Sequence, residues 1–303
     1  MTRRDFAARA GMAMAGARIL TEAAYAQRAA VPGQLPKDMV WLNANENPAG
    51  PPKVAIEAMV KCLPSTGRYH YQEYREFYSA VARFEDLAPE QVLLGAGSSE
   101  VLHAAVDAFT SPTRPLIAIN PTYEGPIDVT RALGRQVIRV PLTSKYGADV
   151  KKLVEEAGKA RGGLIYLCNP NNPTATVTPR NDIAWLIANL PPDTIALIDE
   201  AYHSFNESPE FESALGAVRQ GKNVVVTRTF SKIYGMAGLR AGYACARPDL
   251  IEKMAPFRNN VISYVAVQAV LAAISDTPNF IPQRRAEILK TRRDLCAWLR
   301  SKN

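Results

Sequence analysis

Short runs of apolar residues recur along the chain, separated by segments patterned as amphipathic helices. QVLLG (91–95), PLIAI (115–119), RQVIRV (135–140), GGLIYLC (162–168), TIALID (194–199), NVVVTR (223–228) and GYACA (242–246) each read as a strand. Segments such as DIAWLIANL (182–190) lie between them. Continuous apolar strands alternating with helices predict a largely parallel sheet covered by helices on both faces. After Arg247 and Pro248 the pattern is helical to the end, and residues 29–60 are proline-rich and irregular. The pattern divides the chain into an arm with part of a smaller region at 27–60, a large α/β domain at 61–247, and the helical start of a C-terminal small domain at 248–303.

In such a sheet, ligands bind where strands end and helices begin, so those junctions carry the candidate chemistry. QVLLG runs into AGSSE, where Gly97, Ser98 and Ser99 open a helix beside Glu100. Backbone amides, hydroxyls and a positive helix end suit a phosphate there, although a serine before a helix is also an ordinary cap. GGLIYLC runs into NPNNPTATV, a turn containing Asn171 and Asn172. TIALI ends on Asp199 and Glu200, two carboxylates that need cationic partners if buried. NVVVTR leads into TFSKIYGMAGLRAGY, which sets Lys232 among Ser231, Gly235 and Gly238, with Arg240 eight positions on. Phe230, Ile233 and Tyr234 flank that lysine and argue against a freely solvated charge.

The charge balance changes the picture little. The chain of 303 residues is 47% hydrophobic with a net charge of +7, but the excess sits at residues 1–28 and 284–303. The body between is nearly neutral, which argues against a nucleic-acid face. No apolar run is long and charge-free enough to span a bilayer. The four cysteines (Cys62, Cys168, Cys245, Cys296) and the histidines (His70, His103, His203) lack metal-ligand spacing. A zinc site is therefore not expected.

One ligand accounts for all these junctions: a cationic aromatic ring bearing a phosphate and an aldehyde. The set resembles the fold-type I pyridoxal-phosphate enzymes, within them most closely the histidinol-phosphate aminotransferase group. It is carried by LNANENP (42–48), Arg68 with Tyr69, GSSE (97–100), NNPT (171–174), DEAY (199–202), and TFSK with AGLRAG (229–242), in order over some two hundred residues. The resemblance implies a mostly parallel seven-stranded sheet between helices, a homodimer, and pyridoxal 5'-phosphate as cofactor. It implies that Lys232 bonds the cofactor and moves the substrate proton, and that Asp199 keeps the ring nitrogen protonated. Tyr202 and Asn172 would hold the ring oxygen and Tyr123 would stack on the ring. Gly97, Ser98, Ser99, Ser231 and Arg240 would cradle the phosphate, with Tyr69 reaching across from a second subunit. The implied activity is amino transfer between an amino acid, such as histidinol phosphate or an aromatic amino acid, and a 2-oxo acid. Alternatives that keep the same residues are a decarboxylase or lyase of this fold, and a non-catalytic cofactor-binding remnant.

Three positions depart from the pattern: Ala175 replaces the glycine of N-P-T-G, Ile233 replaces a small residue, and His70 replaces a proline. They bear on substrate choice and on the turn after Thr174. The last segment, from Phe280 onward, is expected to be one helix with an apolar stripe of Ile281, Ile288, Leu295, Cys296 and Leu299. In the resembling family a small domain with a carboxylate-binding arginine follows, so the expectation is an incomplete small domain, feeble turnover and a tendency to aggregate. A compact dimeric variant using Arg258 is the other reading. At the opposite end, TRRDF (2–6) followed by a weakly apolar segment and AYA (24–26) resembles a twin-arginine signal peptide over residues 1–26, implying a periplasmic protein; without it the protein would stay cytoplasmic. Replacing Arg3 and Arg4 by lysine is expected to hold the protein in the cytoplasm. Fractionation of both forms checks this, and a mature fraction still starting at Met1 or Thr2 would overturn it.

Overall fold

The computed structural model describes residues 44–258 and 260–302. The arginine pair, the AYA step and Leu42 and Asn43 of the LNANENP run lie outside them. From Asn45 onward the chain forms one unit. It opens with α1 (Lys53–Cys62) and α2 (Tyr71–Phe84). Strands and helices then alternate: β1 (Val92–Gly95), α3 (Ser98–Phe109), β2 (Leu116–Asn120), α4 (Gly125–Ala132), β3 (Val137–Pro141) and α5 (Val150–Lys159). After these come β4 (Gly163–Cys168), α6 (Arg180–Ala188), β5 (Thr194–Asp199), α7 (Leu215–Arg219), β6 (Val224–Thr229) and β7 (Gly242–Ala246). The helices α8 (Pro248–Met254) and α9 (Tyr264–Arg300) close the unit.

All seven expected strands form one sheet in the order β1-β7-β6-β5-β4-β2-β3. β3, β2, β4, β5 and β6 run parallel, and β7 is antiparallel to both its neighbours. Every residue of β4, β5 and β6 is buried, which is why these strands read as continuous apolar runs. Strand alternation sorts the side chains into two layers. Leu116, Leu164, Tyr166, Leu197 and Val225 pack with Val101 and Ala105 of α3 and Leu250 of α8. Ile117, Ile165, Leu167, Ile198 and Val226 pack on the other face with Phe77 of α2, Leu153 of α5, Leu186 of α6 and Val270 of α9.

α9 differs from expectation. It is continuous from Tyr264 rather than starting at Phe280, ends at Arg300, and carries Pro278 and Pro282 within it. A proline inside a helix costs about 3 kcal/mol; burial of Ala266, Val267, Ala269, Val270, Ala273 and Ile281 on the core offsets it. The apolar stripe divides accordingly. Ile281 and Leu289 are buried, Ile288 is half-buried, and Leu295, Cys296 and Leu299 are exposed.

The period of two also separates the neighbouring carboxylates. Asp199 lies on the face of Leu197, and Glu200 on the face of Ile198. There Glu200 meets Arg228, whose Nε and Nη2 donate to Glu200 Oε2 at 3.1 and 2.8 Å. Arg228 Nη1 donates to both oxygens of Glu85, at 2.8 and 2.7 Å. Glu85, Glu200 and Arg228 are 5%, 1% and 7% exposed, so one guanidinium is shared by two carboxylates taken out of water. Removing it leaves both carboxylates without a cation. Arg228→Leu is expected to lower the unfolding free energy by about 3–5 kcal/mol, as read from urea denaturation. Unfolding at the parental midpoint would show that the cluster does not hold the fold.

Candidate active site

The strand ends of the parallel sheet converge on one region. Asp199 closes β5 and is 3% exposed. Thr227 lies directly opposite on β6 and donates through Oγ1 to Asp199 Oδ1 at 3.1 Å. Tyr166 of β4 donates to Oδ2 at 3.3 Å, and the Ala201 N–H donates to Oδ1 at 3.2 Å. Burial pushes this carboxyl up to about 6, against the opposing pull of those three donors, with Glu200 adding to the rise. Among the described residues all of its hydrogen-bond partners are neutral. A buried carboxylate held this way retains its charge for a cation from outside.

The loop after β6 carries Lys232. Thr229 Oγ1 accepts from the Ser231 N–H and donates to Ser231 Oγ, both at 3.0 Å, which bends the chain off the strand. Lys232 is half-buried; Nζ donates to the Asn45 carbonyl at 3.3 Å and lies 5.8 Å from the centre of the Tyr202 ring. Asn45 Nδ2 donates to Tyr202 Oη at 3.2 Å, so Asn45 ties the lysine to the tyrosine. Asn47 Nδ2 donates to the Ile233 carbonyl at 3.2 Å, and Arg284 Nη1 of α9 donates to the same oxygen at 2.9 Å. Gly235 (φ 68) makes this packing possible, since a Cβ there would lie 2.0 Å from the Gly50 carbonyl oxygen.

The third component is the start of α3. Its N-cap is Gly97 (φ 86), which has no side chain with which to cap the first amides, so Ser98 and Ser99 begin the helix without the serine cap the sequence allows. The Arg240 guanidinium lies against Gly97, where a Cβ would meet Nη2 at 2.5 Å. A helix end, two serines and a guanidinium make an anion cradle. Tyr123 packs on the same sheet layer as Tyr166 and Leu197; Gly125 leaves room for its ring, which a Cβ would approach to 2.6 Å.

The structure thus groups the candidate residues in sets: Lys232 with Tyr202, Asp199 on the layer of Tyr123, and Gly97, Ser98 and Ser99 with Arg240. Ser231 is buried at the foot of the lysine loop. Asn171 is occupied structurally, bonded to Thr122, Thr174 and the Pro121 carbonyl, while its neighbour Asn172 is half-buried. Tyr69 stands apart: it is 75% exposed and stacks on Tyr71 at 5.5 Å. Ala175 has φ 55, the left-handed backbone that glycine favours, at a cost of about 1 kcal/mol. Asn45, Tyr166 and Thr227 were not among the candidates. Asn45 sits in the LNANENP run, whereas Tyr166 and Thr227 read as strand interior and carry no local signal. The described residues contain no cluster of metal-ligating side chains and no helix long and apolar enough to cross a membrane.

Comparison with known proteins is consistent with this geometry. Histidinol-phosphate aminotransferase of Symbiobacterium thermophilum is 36% identical over 241 residues, covering 79% of this chain and 65% of that protein. Aromatic amino acid aminotransferase of Cutibacterium acnes is 34% identical, covering 78% and 68%. The chain therefore spans about two thirds of the length of these relatives. A solved structure of histidinol-phosphate aminotransferase from Sinorhizobium meliloti in complex with pyridoxal-5'-phosphate matches with a TM-score of 0.78 at 26% identity, covering 83% of this chain and 68% of that one. The family model for class I and II aminotransferases matches residues 37–303. By this match and these likenesses, the chain belongs to the class I and II aminotransferase family.

Proposed function

We propose that the protein is a pyridoxal-phosphate-dependent aminotransferase, moving an amino group between histidinol phosphate or an aromatic amino acid and a 2-oxo acid. The observation that carries this reading is the placement of a lysine, a buried carboxylate whose partners among the described residues are neutral, and an anion cradle at strand ends of one sheet.

The residues fit the cofactor. The cradle of Gly97, Ser98, Ser99, Ser231 and Arg240 suits its phosphate, and a Cβ at Gly97 would collide with the Arg240 guanidinium. Asp199 supplies the charge that a protonated ring nitrogen requires, Tyr123 offers a ring face, and Tyr202 and Asn172 offer polar groups for the ring oxygen. When bound, the cofactor serves as an electron sink for the bonds at the substrate α-carbon. Lys232 Nζ, held near Asn45 and Tyr202, is the group that takes and returns the α-proton, which requires it as a neutral amine. Asp199 would balance the positive charge of the ring nitrogen. Arg228 holds Glu200 away from this face, and His203, half-buried and pushed down to about 3 chiefly by desolvation and then by the Arg228 charge, stays neutral.

A second copy of the chain completes the arrangement in this reading. Tyr69 and Tyr71 are exposed, as are Ile56, Val60 and Leu63 at 46%, 63% and 53%, which recur along one side of α1 and the turn after it. The arginine pair and AYA step support export by the twin-arginine route.

Purified protein mixed with pyridoxal phosphate is expected to turn yellow, and borohydride should then fix a pyridoxyl group on Lys232. Peptide mapping that finds the label on another lysine, or no chromophore at all, would reject the assignment. Asp199→Asn should still take up the cofactor but lose about 100-fold or more in the rate of half-transamination. Stopped-flow spectra with histidinol phosphate and aromatic amino acids measure this. Carbon dioxide release in place of amino transfer would point to a decarboxylase instead.

A further inference from the structure

Tyr166 is the largest fully buried side chain of the sheet layer beneath Asp199. Its ring is surrounded by apolar neighbours from β2, β4 and β5, including Ala118, Leu164 and Leu197, where phenylalanine would fill the same space. A hydroxyl there is costly to bury unless it is bonded, and its hydrogen bond is to Asp199 Oδ2. Thr227 repeats the pattern from the other side. It is fully buried, sits opposite Asp199 in the β5–β6 register, and gives its hydroxyl to Oδ1. One donor thus comes from each strand flanking β5, and neither carries a charge. The contrast with Glu200 is direct. That carboxylate, one residue on, is ion-paired with Arg228 and lies on the other face of the sheet.

We propose that Tyr166 and Thr227 are positioning residues that hold Asp199 ionised and aimed without neutralising it, preorganising it for the cationic ring nitrogen of the cofactor. The proposal rests on the cofactor reading above. Burial drives the Asp199 carboxyl up, and the two hydroxyls and the Ala201 N–H restrain the rise. The titratable groups around it are Tyr166 and Cys168 on β4, Glu200 just after β5 and Tyr123 near Tyr166. Lys232 comes from the loop after β6. Burial raises Tyr166 and Cys168 well above their ordinary values, so both stay neutral through the range in which Asp199 titrates. The sign follows. A donor to a carboxylate favours the ionised form, so losing one raises the pH at which Asp199 becomes protonated and releases the ring nitrogen.

The test compares the parent with Tyr166→Phe and Thr227→Val, each of which removes one hydroxyl and keeps the shape, with Asp199→Asn as control. Pyridoxal phosphate affinity is measured by absorbance between pH 5 and pH 8.5. Infrared titration of the Asp199 carboxyl is run on the cofactor-free proteins. Parental affinity should fall as the pH drops through about 6. Each variant should move that fall upward by about half a pH unit, giving about twofold weaker binding at the parental midpoint and roughly threefold weaker binding well below it, and the infrared midpoint should move with it. Thermal unfolding, read alongside, reports any general loss of packing, which would not move the infrared midpoint. Unshifted infrared and binding midpoints in both variants would overturn the proposal alone. Failure of the parent to bind the cofactor at any pH would overturn the functional reading, and the infrared titration would still decide whether the hydroxyls control Asp199.

Discussion

A single buried arginine governs how the strand ends of this protein can be arranged. Arg228 is shared by Glu85, at the end of α2, and Glu200, at the end of β5. Tyr243 of β7 adds a hydrogen bond to Glu85, and Ser213 bonds both Glu200 and Arg228. None of these groups could be buried alone, because the desolvation of each charge is offset only by the others. Their mutual need fixes β5 against β6 on one face. Because strand side chains alternate, it also turns Asp199 and Thr227 to the opposite face. The carboxylate available to a ligand is thus set by the one that is not.

The lysine loop is held from two directions. The segment from Asn45 to Gly50 lies on it through Asn47, Gly50 and the Asn45 carbonyl. α9 reaches it through Arg284, and Tyr234 of the loop bonds Thr277 of the same helix at 3.1 Å. Phe230 and Tyr234 pack edge to face at 5.0 Å, and Tyr234 does the same with Phe280 at 5.5 Å. The proposed role of this amine needs such supports, since a misplacement of about 1 Å costs on the order of 100-fold in rate. The two prolines of α9 are tolerated for the same reason: the helix is bound along its first half by the core and by this loop.

The sequence alone determined the elements and the chemistry at their ends. Apolar runs of five to seven residues mark all seven strands, because strands buried on both faces admit little else; the edge strand β3, mostly half-buried, admits Arg139. The loops that follow carry Lys232, Asp199, the GSSE helix start and Arg240 in an order that points to one kind of ligand. Only the tertiary structure decided how these meet. The strand order, the sharing of Arg228 with a glutamate 143 residues away, and the reach of Asn45 across 187 residues to Lys232 involve partners with no local signature. Tyr166 and Thr227 look like ordinary strand residues until β4, β5 and β6 are laid side by side. The physical reason is that periodicity and turn chemistry are properties of neighbours along the chain. The partner of a buried polar group is chosen by packing among residues that the chain itself keeps far apart.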